Sequence, residues 1–319
     1  MIDRKFGVEL EIVGISKEQA IRALAAVGII AYDAGYTHMT TLDWKVVDDS
    51  SVLGGFEVVS PVLEGEAGLE TLRTAAHALA DAGATANRSC GLHVHIDAHG
   101  MTVENIRTIV CRYASFEEEI DAFMPPSRRG NTNGYCYSVR QVAENEAFRS
   151  ARTVAQLATA QRSRYFKVNL QAFRRHGTIE FRQHSGSVNA TKICNWVQLL
   201  QDFVRQCCQP APAEGAVESL PELHGRQAEL ASLLQQGPVS VSEMQERWGW
   251  QPHTARAAIC RLRRAGVTVR FDGERYHLEQ AAAAGQEDTL WQGVEPDVRR
   301  FYQRRAAVLA IRNYRQRGR

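Results

Sequence analysis

FGVELEI, residues 6–12, alternates strictly: Phe6, Val8, Leu10 and Ile12 are apolar, while Glu9 and Glu11 share the other side. Side chains alternate across a β-strand, so this stretch buries one face and presents two carboxylates on the opposite one. Three more stretches follow the same grammar. In LHVHID (92–97), Leu92, Val94 and Ile96 oppose His93, His95 and Asp97. In TIEFRQH (178–184), Ile179 and Phe181 oppose Thr178, Glu180, Arg182 and His184. In YFKVNLQAF (165–173), Phe166, Val168 and Leu170 oppose Lys167, Asn169 and Gln171. Half-buried strands of this kind predict an α+β fold in which an antiparallel sheet is backed by helices.

An ordinary solvated sheet face is populated by Thr, Ser, Lys and Gln; this one concentrates Glu, His, Asp and Arg. Taken singly, each feature has a bland explanation. Glu9 and Glu11, or Glu57 in GGFEVVSP, are the kind of acids that decorate exposed strands, and Glu180 with Arg182 makes a plain ion pair. His93-x-His95 is less ordinary, because two imidazoles on one strand face suit metal or phosphate binding. Carboxylates two residues apart sit about 6.5–7 Å apart at the Cα level, which suits a pair bracketing two ions better than a pair sharing one.

The helices announce themselves by caps. Ser16 with Gln19 opens one that runs to about Val27, and others are expected over about 66–82, 102–123 and 189–207. A Pro-, Ala- and Glu-rich stretch starting at Gln209 has neither helical nor strand periodicity and reads as a linker over 209–222. It separates a domain over 1–208 from a small one over 223–280 and a basic tail or helix over 281–319.

Charge follows this division. The net charge of +2 splits into an acidic 1–219 and a basic 220–319, the latter with sixteen arginines, no lysine and eleven acids. The seven cysteines form no C-x-x-C pair, which argues for reduced thiols and a cytoplasmic location, and against Cys-ligated zinc. No apolar run reaches the roughly 18 residues a membrane span needs, and the start lacks an export signal.

In the small domain, Ser240 caps a short helix, Pro252 opens a second that Gly266 ends, and VTVRF and ERYHL flank an Asp272-Gly273 turn. That order resembles a winged helix-turn-helix. His253, Arg256, Arg263 and Arg264 would then face the phosphates of DNA, or serve as solvated charges on a protein-docking module. Trp248 and Trp250 read as core residues.

FGVELE, WKVVDDSS, GFEVVSP, CGLHVHID, RYFKVNLQAF and GTIEFRQHSGS, in that order over about residues 5–205, together resemble the amidoligases, relatives of glutamine synthetase and glutamate-cysteine ligase. The resemblance implies a glutamine-synthetase-like curved antiparallel sheet whose concave face binds ATP with Mg²⁺ or Mn²⁺, and an ATP-dependent ligase joining a carboxylate to an amine through an acyl phosphate. It implies Glu9, Glu11, Glu57, His93 and Glu180 as metal ligands, Glu57, His95 and Arg182 as catalytic residues, and His95 and Arg182 as contacts to the ATP phosphates. Lys167, Asn169, Arg164 and Asn133 are second-rank candidates for substrate or nucleotide contacts. The family's usual D-G-S is Asp49-Ser50-Ser51 here, which removes the glycine able to take positive φ. Relatives of glutamine synthetase often assemble into oligomers.

Two other readings use the same residues: a metal-dependent hydrolase, because H-x-H followed by an acid occurs in zinc hydrolases, and a DNA-binding regulator that senses a nucleotide or amino acid. The first lacks further histidines at strand ends, since His176, His184 and His224 do not recur in such settings. The second has no need of phosphoryl-transfer ligands.

Overall fold

Strand β1 (Phe6–Val13) lies at the centre of a seven-stranded sheet with the order β2-β3-β4-β1-β5-β7-β6. The computed structural model describes residues 2–209, 225–252, 254–255, 258–259, 262, 269–271, 275–278, 290–291 and 293–317. The chain divides into two units, one of residues 1–209 and 289–319 and one of 210–288.

The first unit runs β1, α1 (Lys17–Ala26), β2 (Ala31–Gly35), β3 (Trp44–Val47), β4 (Gly55–Val59), α2 (Gly65–Asp81), β5 (Gly91–Asp97), α3 (Val103–Ser115) and α4 (Glu117–Phe123). After a 3₁₀ turn at Pro126–Arg128 come α5 (Arg140–Ala143), α6 (Glu146–Arg149), α7 (Val154–Gln161), β6 (Val168–Asn169), α8 (Gln171–His176), β7 (Thr178–Ser185) and α9 (Ala190–Cys208). The apolar sides of β1, β5 and β7 join Leu72, Leu79, Trp196 and Phe203 of α2 and α9 in one buried cluster. Removing this surface from water is the main force holding helices to sheet. The polar side of the same strands is left for chemistry.

α1 opens with the capping box expected from Ser16 and Gln19. The single helix expected over 102–123 is instead two. Phe116 ends α3 and begins α4, its buried ring packs against Phe203, and Glu117, Glu118 and Glu119 fill the first turn of α4, where the helix dipole favours negative charge.

The sheet is mixed, which corrects the expectation of a purely antiparallel one: edge strand β2 runs parallel to β3, because residues 36–43 carry the chain back to start β3 at the same end. β2 is largely exposed and has no clean alternation to read. The strand expected over 165–173 shrinks to the two residues of β6. Asn169 Oδ1 accepts the Gln171 backbone N–H at 2.8 Å and turns the chain into α8, which ends at Gly177 with φ 66°.

The last helix, α12, is numbered after two in the second unit, α10 (Arg226–Gln236) and α11 (Val241–Trp248). α12 (Pro296–Arg317) packs on α4 and α9. Its Tyr302 is fully buried, 4.6 Å from Phe123 and 6.2 Å from Trp196 between ring centroids, and Arg305 Nε donates to the Phe123 carbonyl.

In the second unit, α10, β8 (Val239–Ser240), α11, helical residues between 252 and 262, β9 (Val269–Phe271) and β10 (Arg275–Leu278) follow in order, with the strands paired β8-β10-β9. Leu230, Met244, Ile259 and Tyr276 belong to a core of its own, and Trp248 and Trp250 pack against it. Ser240 and Glu243 form the capping box of α11. His253, Arg256, Arg263, Arg264, Gly266 and the Asp272-Gly273 turn lie outside the described residues, as does most of the linker. No helix among the described residues is long and apolar enough to cross a membrane.

Candidate metal and phosphate centre

Strand register brings the polar residues together. Glu11 pairs with Glu57 of β4, Glu9 with His93 of β5, His95 with Glu180 of β7, and Glu180 with Asn169 of β6. Five strands therefore contribute to one patch. His93 stands at its middle: Nδ1 lies 2.8 Å from Glu9 Oε2 and 3.7 Å from Glu180 Oε1, while Nε2 lies 3.4 Å from Glu11 Oε1.

The patch is tied down from several sides. Glu11 accepts the Gly91 backbone N–H. Glu180 accepts from Asn169 Nδ2 at 2.6 Å and is paired with Arg182 Nη1. His95 Nδ1 lies 2.9 Å from Thr178 Oγ1, and its buried Nε2 faces Glu9 Oε1 at 3.4 Å.

Four carboxylates in so small a space distort one another's titration. Burial raises Glu57 well above the usual carboxylate range, and the charges of Glu9, Glu11 and Asp49 push the same way. Burial also acts to raise Glu9, but hydrogen bonds and charge from His93 and His95 outweigh it and hold Glu9 well below that range. Glu180 is likewise lowered, because Arg182 and His95 overcome burial. His95 is raised: burial opposes its protonation, but Glu9 and Glu180 favour it. A buried group of acids with too few cations is costly unless a counter-charge joins it.

The donor set fits divalent cations. Glu9, His93 and Glu180 form one group, and Glu11, Glu57 and His93 another; in each, one ligand atom per residue lies within 4.8 Å of the others. Carboxylate oxygens outnumber imidazole nitrogens and no thiol is present, a balance that suits Mg²⁺ or Mn²⁺ better than zinc.

A cavity of about 590 Å³ opens over Glu9, Glu57, His93, His95 and Glu180, lined also by Asp49, Tyr135, Arg164, Tyr165, Arg174, Arg175 and Arg182. Its carboxylate floor and arginine walls suit a metal-bound polyanion. The family model described as "Putative amidoligase enzyme" matches residues 3–204, well over half of the chain. The chain belongs to the amidoligase family. Comparison with curated proteins gives no match.

The amidoligase match runs from before β1 to near the end of α9 and so contains every candidate residue of this centre; the second unit and α12 lie beyond it. Glu9, Glu11, Glu57, His93, His95, Asn169, Glu180 and Arg182 are gathered at one place, and Arg164 reaches the cavity wall. Lys167 is not brought there. It is fully buried, paired with Glu117 Oε1 at 2.6 Å and Asp121 Oδ1 at 2.9 Å of α4. Asn133 supports its own loop, donating to the Ser127 carbonyl and accepting from the Tyr135 N–H. Among the described residues Arg162 alone has positive φ outside glycine, so Ser50 does not need the freedom that the amidoligase glycine would give it.

Besides the cavity-wall residues Tyr135, Tyr165, Arg174 and Arg175, two residues beside the carboxylates escaped the sequence reading. Asp49 lines the cavity, its Oδ1 accepting from the Ser51 backbone and hydroxyl. Lys45 projects from β3, 3% exposed, with burial lowering its ammonium against the pull of Glu9 and Glu57. Both lie in WKVVDD, but β3 is buried throughout, so no alternation marks Lys45 as facing the site.

Proposed function

We propose that the first unit is an ATP-dependent carboxylate–amine ligase that uses Mg²⁺ or Mn²⁺, and that it adopts the curved sheet of glutamine synthetase. The observation that carries this reading is the pair of three-residue ligand groups sharing His93, set in the floor of an arginine-walled cavity. A carboxylate is a poor acyl donor to an amine. Transfer of the γ-phosphoryl group to a carboxylate oxygen leaves ADP and an acyl phosphate; the amine then forms the C–N bond, phosphate departs with the C–O bonding pair, and the amine gives up a proton.

Phosphoryl transfer of this kind calls for positioning and charge neutralisation. Glu9, His93 and Glu180 would hold one divalent ion and the carboxylates of Glu11 and Glu57 a second, because a neutral imidazole has one free lone pair to give. When bound, the ions neutralise phosphate charge. Arg182 adds a fixed positive charge beside Glu180, and its partner orients it toward the cavity. Thr178 fixes the His95 ring by its Nδ1, which leaves Nε2 to meet a phosphate oxygen. Asn169 holds Glu180 in place through Nδ2.

The carboxylate-rich donor set favours a ligase over a zinc hydrolase, and the complete set of acids, histidines and arginine favours turnover over sensing. The element order of the second unit supports reading it as a winged helix-turn-helix, with DNA or a docked protein as its partner. The test is phosphate release from ATP and Mg²⁺ on addition of candidate acids and amines. Release that requires both co-substrates, and is abolished by Glu9→Gln and Glu180→Gln in folded protein, is the expected result. Activity without nucleotide, or full activity in either variant, overturns it.

A further inference from the structure

A second cavity, of about 550 Å³, meets the first at Glu9, His38, Glu57, His95 and His176. Beyond that shared wall the two linings differ in chemistry. Arg164, Arg174, Arg175 and Arg182 line only the first; Lys5, Lys45 and Asp97 line only the second, together with Val59, Pro61 and Val62, and Lys5 is paired with Glu64 at 3.6 Å. One cavity thus suits a polyanion, and the other a molecule with an apolar body and opposite charges at its ends.

Lys45 lines the second cavity, near enough to Glu9 and Glu57 of the shared wall to feel their charge. Its ammonium has three N–H groups, and among the described residues its one hydrogen bond goes to the Met39 carbonyl. Two N–H groups remain for a carboxylate. Asp97 continues the polar face of β5 past His93 and His95, toward the open end. Its Oδ1 accepts from the His99 backbone and contacts the His99 ring, while Oδ2 has no partner among the described residues and is free to accept from an ammonium.

The register sets the span. Lys45 pairs with Val59, Val59 with Glu9 and Glu9 with His93, and Asp97 lies four residues beyond His93. At ordinary strand spacings that is about 14 Å across the strands and about 13 Å along them. This exceeds the distance between the charged ends of one amino acid and suits a short extended peptide. The cavity volume is that of a site for such a ligand.

We propose that the second cavity binds a short peptide as the acyl donor, with its C-terminal carboxylate at Lys45, its apolar side chains against Val59, Pro61 and Val62, and its amino terminus at Asp97. The proposal rests on reading the neighbouring cavity as the nucleotide side, since the carboxylate to be activated must lie where the two meet.

The experiment is a calorimetric titration of the full chain, without nucleotide or metal, with Ala-Leu-Ala, its N-acetyl form and its C-terminal amide. The free peptide binds, and each blocking group weakens binding by about tenfold or more, as loss of a charge-assisted hydrogen bond requires. Asp97→Asn lowers affinity for the free peptide and erases the effect of acetylation; Lys45→Met does the same for amidation. Three peptides that bind alike, a free peptide that does not bind, or an acetylation effect unchanged in Asp97→Asn overturns the proposal. The wild-type comparison decides even where a variant fails to fold. Failure of the ligase reading is distinct: peptide binding with these dependences, but no phosphate release from ATP and Mg²⁺ with peptide and amine present.

Discussion

Glu11 and Glu57 sit directly opposite each other in the antiparallel register of β1 and β4, both buried, on the same face of the sheet. Like charges facing across a strand pair are destabilising, and burial raises Glu57 accordingly, with Glu9, Glu11 and Asp49 adding to it. Such an arrangement persists where a bound cation rewards it.

The first prediction concerns that cation. Saturating Mg²⁺ or Mn²⁺ raises the melting temperature, because a ligand bound only by the folded state stabilises it, by about 2.7 kcal/mol at a hundred times its Kd. Glu57→Gln raises the melting temperature of the metal-free protein and removes most of the increment from metal. Differential scanning fluorimetry with and without chelator measures both; a metal increment unchanged in Glu57→Gln would remove Glu57 from the ligand set.

A second prediction follows from His184, whose ring is buried against Trp196 with centroids 5.3 Å apart and whose Nε2 has no partner. Burial lowers its pKa from 6.5 to about 3. The unfolded chain therefore binds a proton that the folded chain refuses between those values, so stability is lost as pH falls from about 6.5 toward 3. The loss reaches about 1.4 kcal/mol per pH unit. Replacing His184 with Phe flattens this part of the profile, measured by urea unfolding from pH 4 to pH 7; an unaltered slope would refute it.

Lys167 supplies a third. Glu117 Oε2 accepts from the Ser138 hydroxyl and the Val139 N–H, and Asp121 Oδ2 accepts from the Gly130 N–H, so the two acids that pair with Lys167 also hold both ends of the loop carrying Tyr135. The Tyr135 carbonyl in turn accepts from Arg182 Nε at 3.4 Å. Lys167→Met leaves the buried Glu117 and the half-buried Asp121 without their counter-charge and costs about 3–5 kcal/mol. Adding Glu117→Gln returns part of that. Chemical denaturation of the single and double variants checks it, and additive losses would show that the ion pair is not the reason for the burial.

The sequence by itself determined which residues face one another's side of a strand. Alternation in FGVELEI and LHVHID separates core from chemistry with no knowledge of neighbours, because the two-residue period is a property of the chain alone. Ser16 and Gln19 likewise fixed the start of α1 locally. Tertiary structure decided what depends on neighbours. Lys167 looks like a site residue from its place beside Asn169, yet α4 provides it with Glu117 and Asp121 and draws it away. Lys45 has no pattern to reveal it, because β3 is covered on both faces, yet the register β3-β4-β1 sets it beside Glu9 and Glu57. Whether two acids are decoration or half of a metal site rests on strand order, since only pairing brings Glu57, His93 and Glu180 to Glu9 and Glu11. The physical reason is range: alternation and capping are contacts within a few residues, whereas charge and coordination act between residues that only the folded sheet makes adjacent.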